Sequence, residues 1–246
     1  VLLTRHSQSA NIFSKRLAAL RKSIGKDLDL VFVDAPHVLE PVDLTGLGIV
    51  LDTSGASVTS EDPALKPRAW YKTDSTRMRT DGLEESLAYL RDTLKTQRFE
   101  GIFGFSQGAA MAALLAAILE RPHLYPPFLV DGEPPHPPLK FCVSVSGFKV
   151  AGPLSAAVFS EGYATPTLHV MGRNDILVVE ERSRVLIDLS TGKRVEEHEG
   201  GHFVPSKASW RTFLKAYMLN PTGDIPSPGP SSVSQPGSGA VTPLAG

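Results

Sequence analysis

The sequence predicts an α/β fold, with a mostly parallel central sheet and helices on both faces. Two observations predict it. Strand-like apolar runs alternate with helical stretches along the chain, which is the pattern that builds parallel sheets. The 246 residues, 41% of them hydrophobic, suffice for one domain with a sizeable core.

The first element is a short buried strand over 1–3. Residues 12–24 read as a helix, because Ile12, Phe13, Leu17, Leu20 and Ile24 recur near the 3.6 period. A strand over 28–33 ends at Asp34-Ala-Pro. Residues 36–68 are rich in Pro, Gly, Ser and Asp and read as one irregular loop, of a length more often functional than idle. A helix over 80–97 follows, with Leu83, Leu87, Leu90 and Leu94 on one stripe. Then come a strand over 99–105, a helix over 107–119, a proline-rich loop over 121–139, and strands over 141–146 and 167–171. A helix over 177–189, a strand over 193–197 and a helix over 206–219 complete a domain assigned to 1–220. Pro, Gly and Ser dominate 221–246, which read as a disordered tail.

The formal net charge of −1 offers no electrostatic attraction to nucleic acid or to an anionic membrane. Cys142 is the only cysteine and sits within Phe141-Cys-Val-Ser-Val145, so it reads as a buried, inert thiol. The expected location is therefore a reducing compartment, the cytoplasm or the nucleus with it. No stretch reaches the roughly 18 to 20 apolar residues of a membrane span, and no signal-peptide pattern is present. With a single cysteine there is no Cys-x-x-Cys pair, and neither metal nor cofactor is expected. The chain opens on Val1, directly in an apolar run, as processing or the loss of a few leading residues would leave it.

In a parallel sheet, ligands sit beyond the carboxyl ends of the strands, so chemistry is sought there. Gly104-Phe-Ser-Gln-Gly108 ends one strand and opens a helix. A serine on so tight a turn needs small residues two positions either side, and Gly104 and Gly108 supply them. Ser106 is thus the candidate nucleophile, and the backbone N–H of Gln107, at a helix start, the candidate oxyanion donor. A serine needs a base, and the base an orienting acid, in the chain order Ser, Asp, His. Asp175 follows the strand over 167–171, and the competing role for it is a helix N-cap. His202 follows the last strand behind Gly200 and Gly201 and is preferred as base over His198, which lies within the strand. His169 reads as a core residue, His123 and His136 as solvated or lid-lining, and His37 as pocket-lining or structural. The second oxyanion donor is sought in Thr4-Arg5-His6. A rival lies in the same loop: Arg5-His6-Ser7-Gln8 is similar to a histidine-phosphatase signature that would use His6, although Ser7 stands where that signature has glycine.

With Ser106, Asp175 and His202 in that order, residues 1 to 219 resemble a fungal family of small serine hydrolases, whose animal relative is the ovarian-cancer-associated serine hydrolase. The resemblance rests on Gln8-Ser-Ala-Asn-Ile-Phe13, Leu17-Ala-Ala-Leu-Arg-Lys22, Phe32-Val-Asp-Ala-Pro-His37 and Trp70-Tyr71. Further along, it rests on the serine motif, Val145-Ser-Gly-Phe148, Pro166-Thr-Leu-His-Val-Met-Gly-Arg-Asn-Asp175 and His198-Glu-Gly-Gly-His-Phe-Val-Pro205. It implies an α/β-hydrolase fold and a serine esterase or thioesterase. The substrate would be a small acyl ester or thioester, in some members a polyketide chain released from a carrier protein in fungal biosynthesis. The family reads Leu-His-Gly-aromatic where this chain has Leu3-Thr4-Arg5-His6, so the backbone N–H of His6 takes the place of the second oxyanion donor. Trp70, Tyr71 and Phe148 are candidates to line the pocket, with core packing as their alternative. A non-catalytic binding protein on the same fold is the reading of a different class.

Overall fold

Strand alternation decides which helices lie where. In β5 (Gly101–Phe105), β6 (Phe141–Val145) and β7 (Thr167–Gly172), every residue before Gly172 is buried, as in strands covered on both faces. Phe103, Phe105, Val143, Val145, Leu168 and Val170 point to one face. There they meet apolar residues of α1 (Ala10–Arg16), α2 (Ala18–Ile24) and α7 (Ala208–Leu219). Ile102 and Cys142 point to the other face. That face is covered by α3 (Leu83–Thr96), α4 (Gln107–Glu120), α5 (Pro153–Val158) and α6 (Glu180–Ile187). Burial pushes the Cys142 thiol up to about 12, so it stays an inert core group. His169 on β7 is a core residue too, and burial lowers its pKa to about 3, which keeps it neutral.

The computed structural model describes residues 2–3, 9–40, 62, 65–73, 76 and 78–229. With β1 (Leu2–Leu3), β2 (Phe32–Val33) and β8 (Lys193–His198), the described strands form a six-stranded sheet in the order β2-β1-β5-β6-β7-β8. All its pairings are parallel. The carboxyl ends of β5 to β8 therefore converge on one edge, where Ser106, Asp175 and His202 follow.

Several elements differ from expectation. The helix expected over 12–24 is two, α1 and α2, which meet at Leu17. Ser9 caps the first through its side chain, and Asp34 Oδ1 accepts from Ala10 N at 2.6 Å. The strand expected over 28–33 keeps only Phe32–Val33. The loop over 36–68 begins and ends in an antiparallel pair, β3 (His37–Val38) with β4 (Arg68–Ala69). Between these strands, 41–61, 63 and 64 lie outside the described residues. The short helix α5 was not expected; Pro153 opens it behind Gly152 at φ 97°. His136 is buried rather than solvated: Nε2 accepts from Phe99 N at 2.8 Å, and Nδ1 faces Pro137 O at 2.6 Å. Residues 221–229, read as the start of a disordered tail, are placed against the sheet edge. Arg194 donates to Ile225 O, and the Ser227 hydroxyl to Glu196, both partners being on β8. Ile225 packs against the apolar cluster on that face of the sheet. The tail over 230–246 lies outside the described residues.

Helix α4 is buried at every position from Gln107 to Leu119. Its alanines let it lie close beneath the sheet, and the closest approach is at Gly104. A Cβ on Gly104 would overlap the Gly108 carbonyl and sit 2.6 Å from Ala109 Cα, both of them backbone groups that cannot swing away. Gly104→Ala is therefore expected to destabilise the fold by about 1–3 kcal/mol or more, measured as a lower midpoint in urea unfolding.

Candidate active site

Strand β5 runs into α4 with a single residue between them, Ser106, at φ 55° and ψ −118°. For a residue with a Cβ that conformation costs on the order of 1–3 kcal/mol and persists only where the surroundings enforce it. The enforcement comes from both sides. Ser106 N donates to Val145 O at 2.9 Å, continuing the ladder between β5 and β6, while Ser106 O accepts from Ala109 N and Ala110 N at 3.0 and 3.1 Å. The serine is thus at once the last ladder residue and the first helix acceptor. Its Oγ projects beyond the strand ends, and Gln107 N–H occupies a helix-start position that has no intrahelical acceptor.

The Asp175 turn and the His202 loop meet that serine. His202 Nε2 lies 2.9 Å from Ser106 Oγ, and His202 Nδ1 lies 2.8 Å from Asp175 Oδ2. The imidazole and carboxylate side chains are only 8% and 2% exposed. Asp175 Oδ1 accepts from Leu177 N at 3.0 Å and Val178 N at 2.8 Å. The carboxylate thus takes up the helix-start role weighed for it and the histidine together, one oxygen to each. This turn also explains why α6 begins at Glu180 rather than 177. Burial pushes the Asp175 carboxyl upward, but the hydrogen bond from His202 and the Val178 N–H outweigh it, so the net shift is downward. The Ser146 hydroxyl faces the same carboxylate without closing a hydrogen bond.

The two loops are laced by backbone. Arg173 N donates to His198 O at 2.9 Å and Asn174 N to Gly200 O at 3.0 Å, while Asn174 Nδ2 reaches Glu199 O at 2.6 Å. Gly172 makes the approach possible, since a Cβ there would lie 2.6 Å from Gly200 O. The Phe105 ring lies against the imidazole face, with centroids 4.8 Å apart. His198, the weaker candidate, has a structural place: Nδ1 accepts from Gly200 N at 3.1 Å, and the ring packs between Phe203 and Trp210. His37 is tied to Gly82 O through Nε2 at 2.8 Å. Arg5 and His6, and with them the second oxyanion donor and the phosphatase-like motif, lie outside the described residues.

The Gln107 side chain has a role that was not read from the sequence. Its Oε1 accepts from Trp70 N and its Nε2 donates to Tyr71 O, each at 2.8 Å. The Ser86 hydroxyl takes up Trp70 O. Trp70 and Tyr71 side chains pack in the core, at 0% and 2% exposure, so it is their backbone that borders the start of α4. The signal was available: a glutamine opening a helix that is otherwise apolar and buried has to find partners for both ends of its amide. Phe148 is buried as well, with the Arg182 guanidinium 3.7 Å from its ring centroid.

Among the described residues, no group of three or more His, Cys, Asp or Glu is placed to hold a metal ion, and no helix is long and apolar enough to cross a membrane. The model of a serine hydrolase family (FSH1) matches residues 2–214. The chain is 36% identical over 229 residues to the esterase OVCA2 of Danio rerio, covering 87% of this chain and 94% of that one. It is 32% identical over 210 residues to an esterase of Aedes aegypti, covering 83% and 69%. In fold it is similar to acyl-protein thioesterase 2 of Zea mays, with a TM-score of 0.55 at 17% identity over 88% of this chain and 92% of that one. These likenesses carry the α/β-hydrolase fold and an ester-cleaving class of enzyme.

Two outcomes follow from the geometry. Gln107→Ala leaves a buried N–H and a buried carbonyl without partners, so unfolding free energy is expected to fall by about 2 kcal/mol or more, read by urea titration. The lowered Asp175 pKa means that its ionised form stabilises the fold at neutral pH. That contribution is retained above the unfolded value and lost as pH falls through the folded one, below about pH 4. The stability difference between wild type and Asp175→Asn is therefore expected to hold constant from about pH 8 to 5 and to shrink only below about 4, measured by denaturant titration at each pH.

Proposed function

The chain belongs to the FSH1 serine hydrolase family, and we propose that within it Ser106, His202 and Asp175 form the catalytic triad of a carboxylesterase or thioesterase. The observation that carries this reading is the unbroken sequence of hydrogen bonds from Asp175 through His202 to Ser106. Asp175 holds the imidazole with its proton on Nδ1, which leaves Nε2 free to accept from the serine. His202 Nε2 takes the hydroxyl proton as Ser106 Oγ attacks the acyl carbon. The oxyanion that forms is met by Gln107 N–H and, in this proposal, by the N–H of His6, each such donor being worth about 3 kcal/mol. The imidazolium returns its proton to the leaving oxygen or sulfur, and the ester bond breaks. Water then attacks the acyl-enzyme by the same route and releases the acid and the free serine. No cofactor enters any step.

The substrate proposed is a small-molecule acyl ester or thioester. The thioester arm is motivated by the fold shared with an acyl-protein thioesterase, and delivery on a carrier protein, as in polyketide release, is its most specific form. A fluorophosphonate probe is expected to label the folded protein, with the label lost in Ser106→Ala. Turnover of p-nitrophenyl esters is expected to fall by about 10⁶-fold in Ser106→Ala and by about 10⁴-fold in Asp175→Asn. A folded wild type that takes no label would instead support the non-catalytic reading. A chain-length panel of p-nitrophenyl esters beside acyl thioesters decides between the two bond types.

A further inference from the structure

Beside the His202 loop is a cavity of about 340 Å³ that the catalytic groups themselves leave unused. One wall is helical, made by Phe13 and Leu17 with Leu20; the facing wall is Phe203, Val204 and Pro205, and Phe105 also lines the space. Two of these residues are chain neighbours of the reacting groups, since Phe105 precedes Ser106 and Phe203 follows His202. The lining side chains are apolar apart from Arg16 and Ser206, which like Ala19 are exposed, and backbone polar groups share the surface. Phe203 itself is 48% exposed, unusual for a phenylalanine beside a site built from buried groups.

The directions around the reacting carbon decide what such a cavity can hold. The oxyanion points to Gln107 N–H at the start of α4. The leaving atom must lie within hydrogen-bond reach of His202 Nε2, because that nitrogen returns the proton to it. Phe105, which lies against the imidazole, and Phe203, the next residue, both line the cavity, so a chain attached to the leaving oxygen or sulfur has that space beside it. The acyl chain takes the direction that remains, away from the base.

Resting on the roles assigned to Ser106 and His202 above, we propose that this cavity is the leaving-group subsite and that it takes an apolar chain carried on the leaving oxygen or sulfur. Its volume is at the lower end of the ~300–1,000 Å³ typical of small-molecule sites, which suits a single linear chain. Apolar walls supply the affinity, and the edge at Arg16 and Ser206 meets solvent. Specificity for the alcohol or thiol half of the substrate is thus set on the α1–α2 face of the sheet, separately from specificity for the acyl half.

Ala19→Trp and, separately, Ser206→Trp narrow the cavity from opposite walls at exposed positions that leave the core intact. kcat/KM is measured by pH-stat titration of the liberated acid on two series, n-alkyl acetates from methyl to octyl and methyl alkanoates from acetate to octanoate. In the wild type, kcat/KM is expected to rise along the alkyl acetates. In each variant the octyl-to-methyl ratio of that series is expected to fall about tenfold or more, while the octanoate-to-acetate ratio of the methyl esters stays within about twofold. A wild type indifferent to alkyl length, an unchanged octyl-to-methyl ratio in both variants, or a loss confined to the alkanoate series overturns the proposal. Methyl acetate turnover that survives Ser106→Ala overturns the triad reading instead, so the two failures are told apart. Far-ultraviolet circular dichroism of each variant verifies that the fold is retained.

Discussion

The close crossing of β5 over the start of α4 is the constraint on which the rest of the site depends. Gly104 lies against the Gly108 carbonyl with no space for a side chain between them. At that separation the chain must reverse from strand to helix within one residue, and Ser106 absorbs the change by adopting φ 55°. The strain, on the order of 1–3 kcal/mol, is held by a helix buried on every side and by hydrogen bonds that bind Ser106 to β6 and to α4 at once. The placement of Oγ beyond the strand end and the helix-start N–H of Gln107 are consequences of the same turn. Under the proposed roles, nucleophile and oxyanion donor are positioned by packing, which is how preorganised electrostatic stabilisation is built.

Asp175 and His202 are held by a different device, and solvent screening decides which contacts matter. Arg173 bridges Glu197 and Glu199 on the surface at 3.0 and 2.6 Å. Exposed pairs of this kind contribute little, because solvent screens them and two long side chains must be ordered to form them. The backbone bonds from Arg173 and Asn174 to the His198–Gly200 segment need no long side chain to be ordered, and they set the spacing between the Asp175 turn and the His202 loop. Asp175 completes the arrangement by splitting its carboxylate, with Oδ1 on the backbone N–H groups of its own turn and Oδ2 on His202. Removing it would unpin both the turn and the imidazole.

The three side chains that meet at the strand ends were legible in the sequence because each follows a strand that reads plainly. Ser106 lies between flanking glycines at a strand-to-helix junction, Asp175 follows β7, and His202 stands behind two glycines after β8. What was not legible depends on partners far away in the chain. The side chain of Gln107 bonds the backbone at positions 70 and 71, and no local pattern names that partner, although its burial demands one. The break at Leu17 was hidden because α1 and α2 both bury residues toward the same face, so one hydrophobic period runs through both. The pairing of β3 with β4 escaped notice for a related reason: two residues on each side carry no alternation to read. His136 was misjudged from its proline-rich surroundings, since a loop composition says nothing of a ring that turns inward to accept from Phe99 N.

Rigidity is distributed unevenly around the serine, and that bears on how one fold could serve many esters. The side made by β5, α4 and the backbone of residues 70 and 71 is buried, and its polar groups are paired. A substitution there acts on folding before it acts on specificity, because neither space nor hydrogen-bonding capacity is spare. The side made by α1, α2 and 203–206 differs: Ala19, Phe203 and Ser206 are exposed, and a cavity lies between them. Side chains at Ala19 and Ser206 can change size without opening a void in the core or stranding a buried polar atom, the two commonest routes to large destabilisation. Variation in the leaving group is therefore cheaper for this architecture to accommodate than any change in the geometry of attack, and the substrate range of related chains is expected to be tuned from the α1–α2 face.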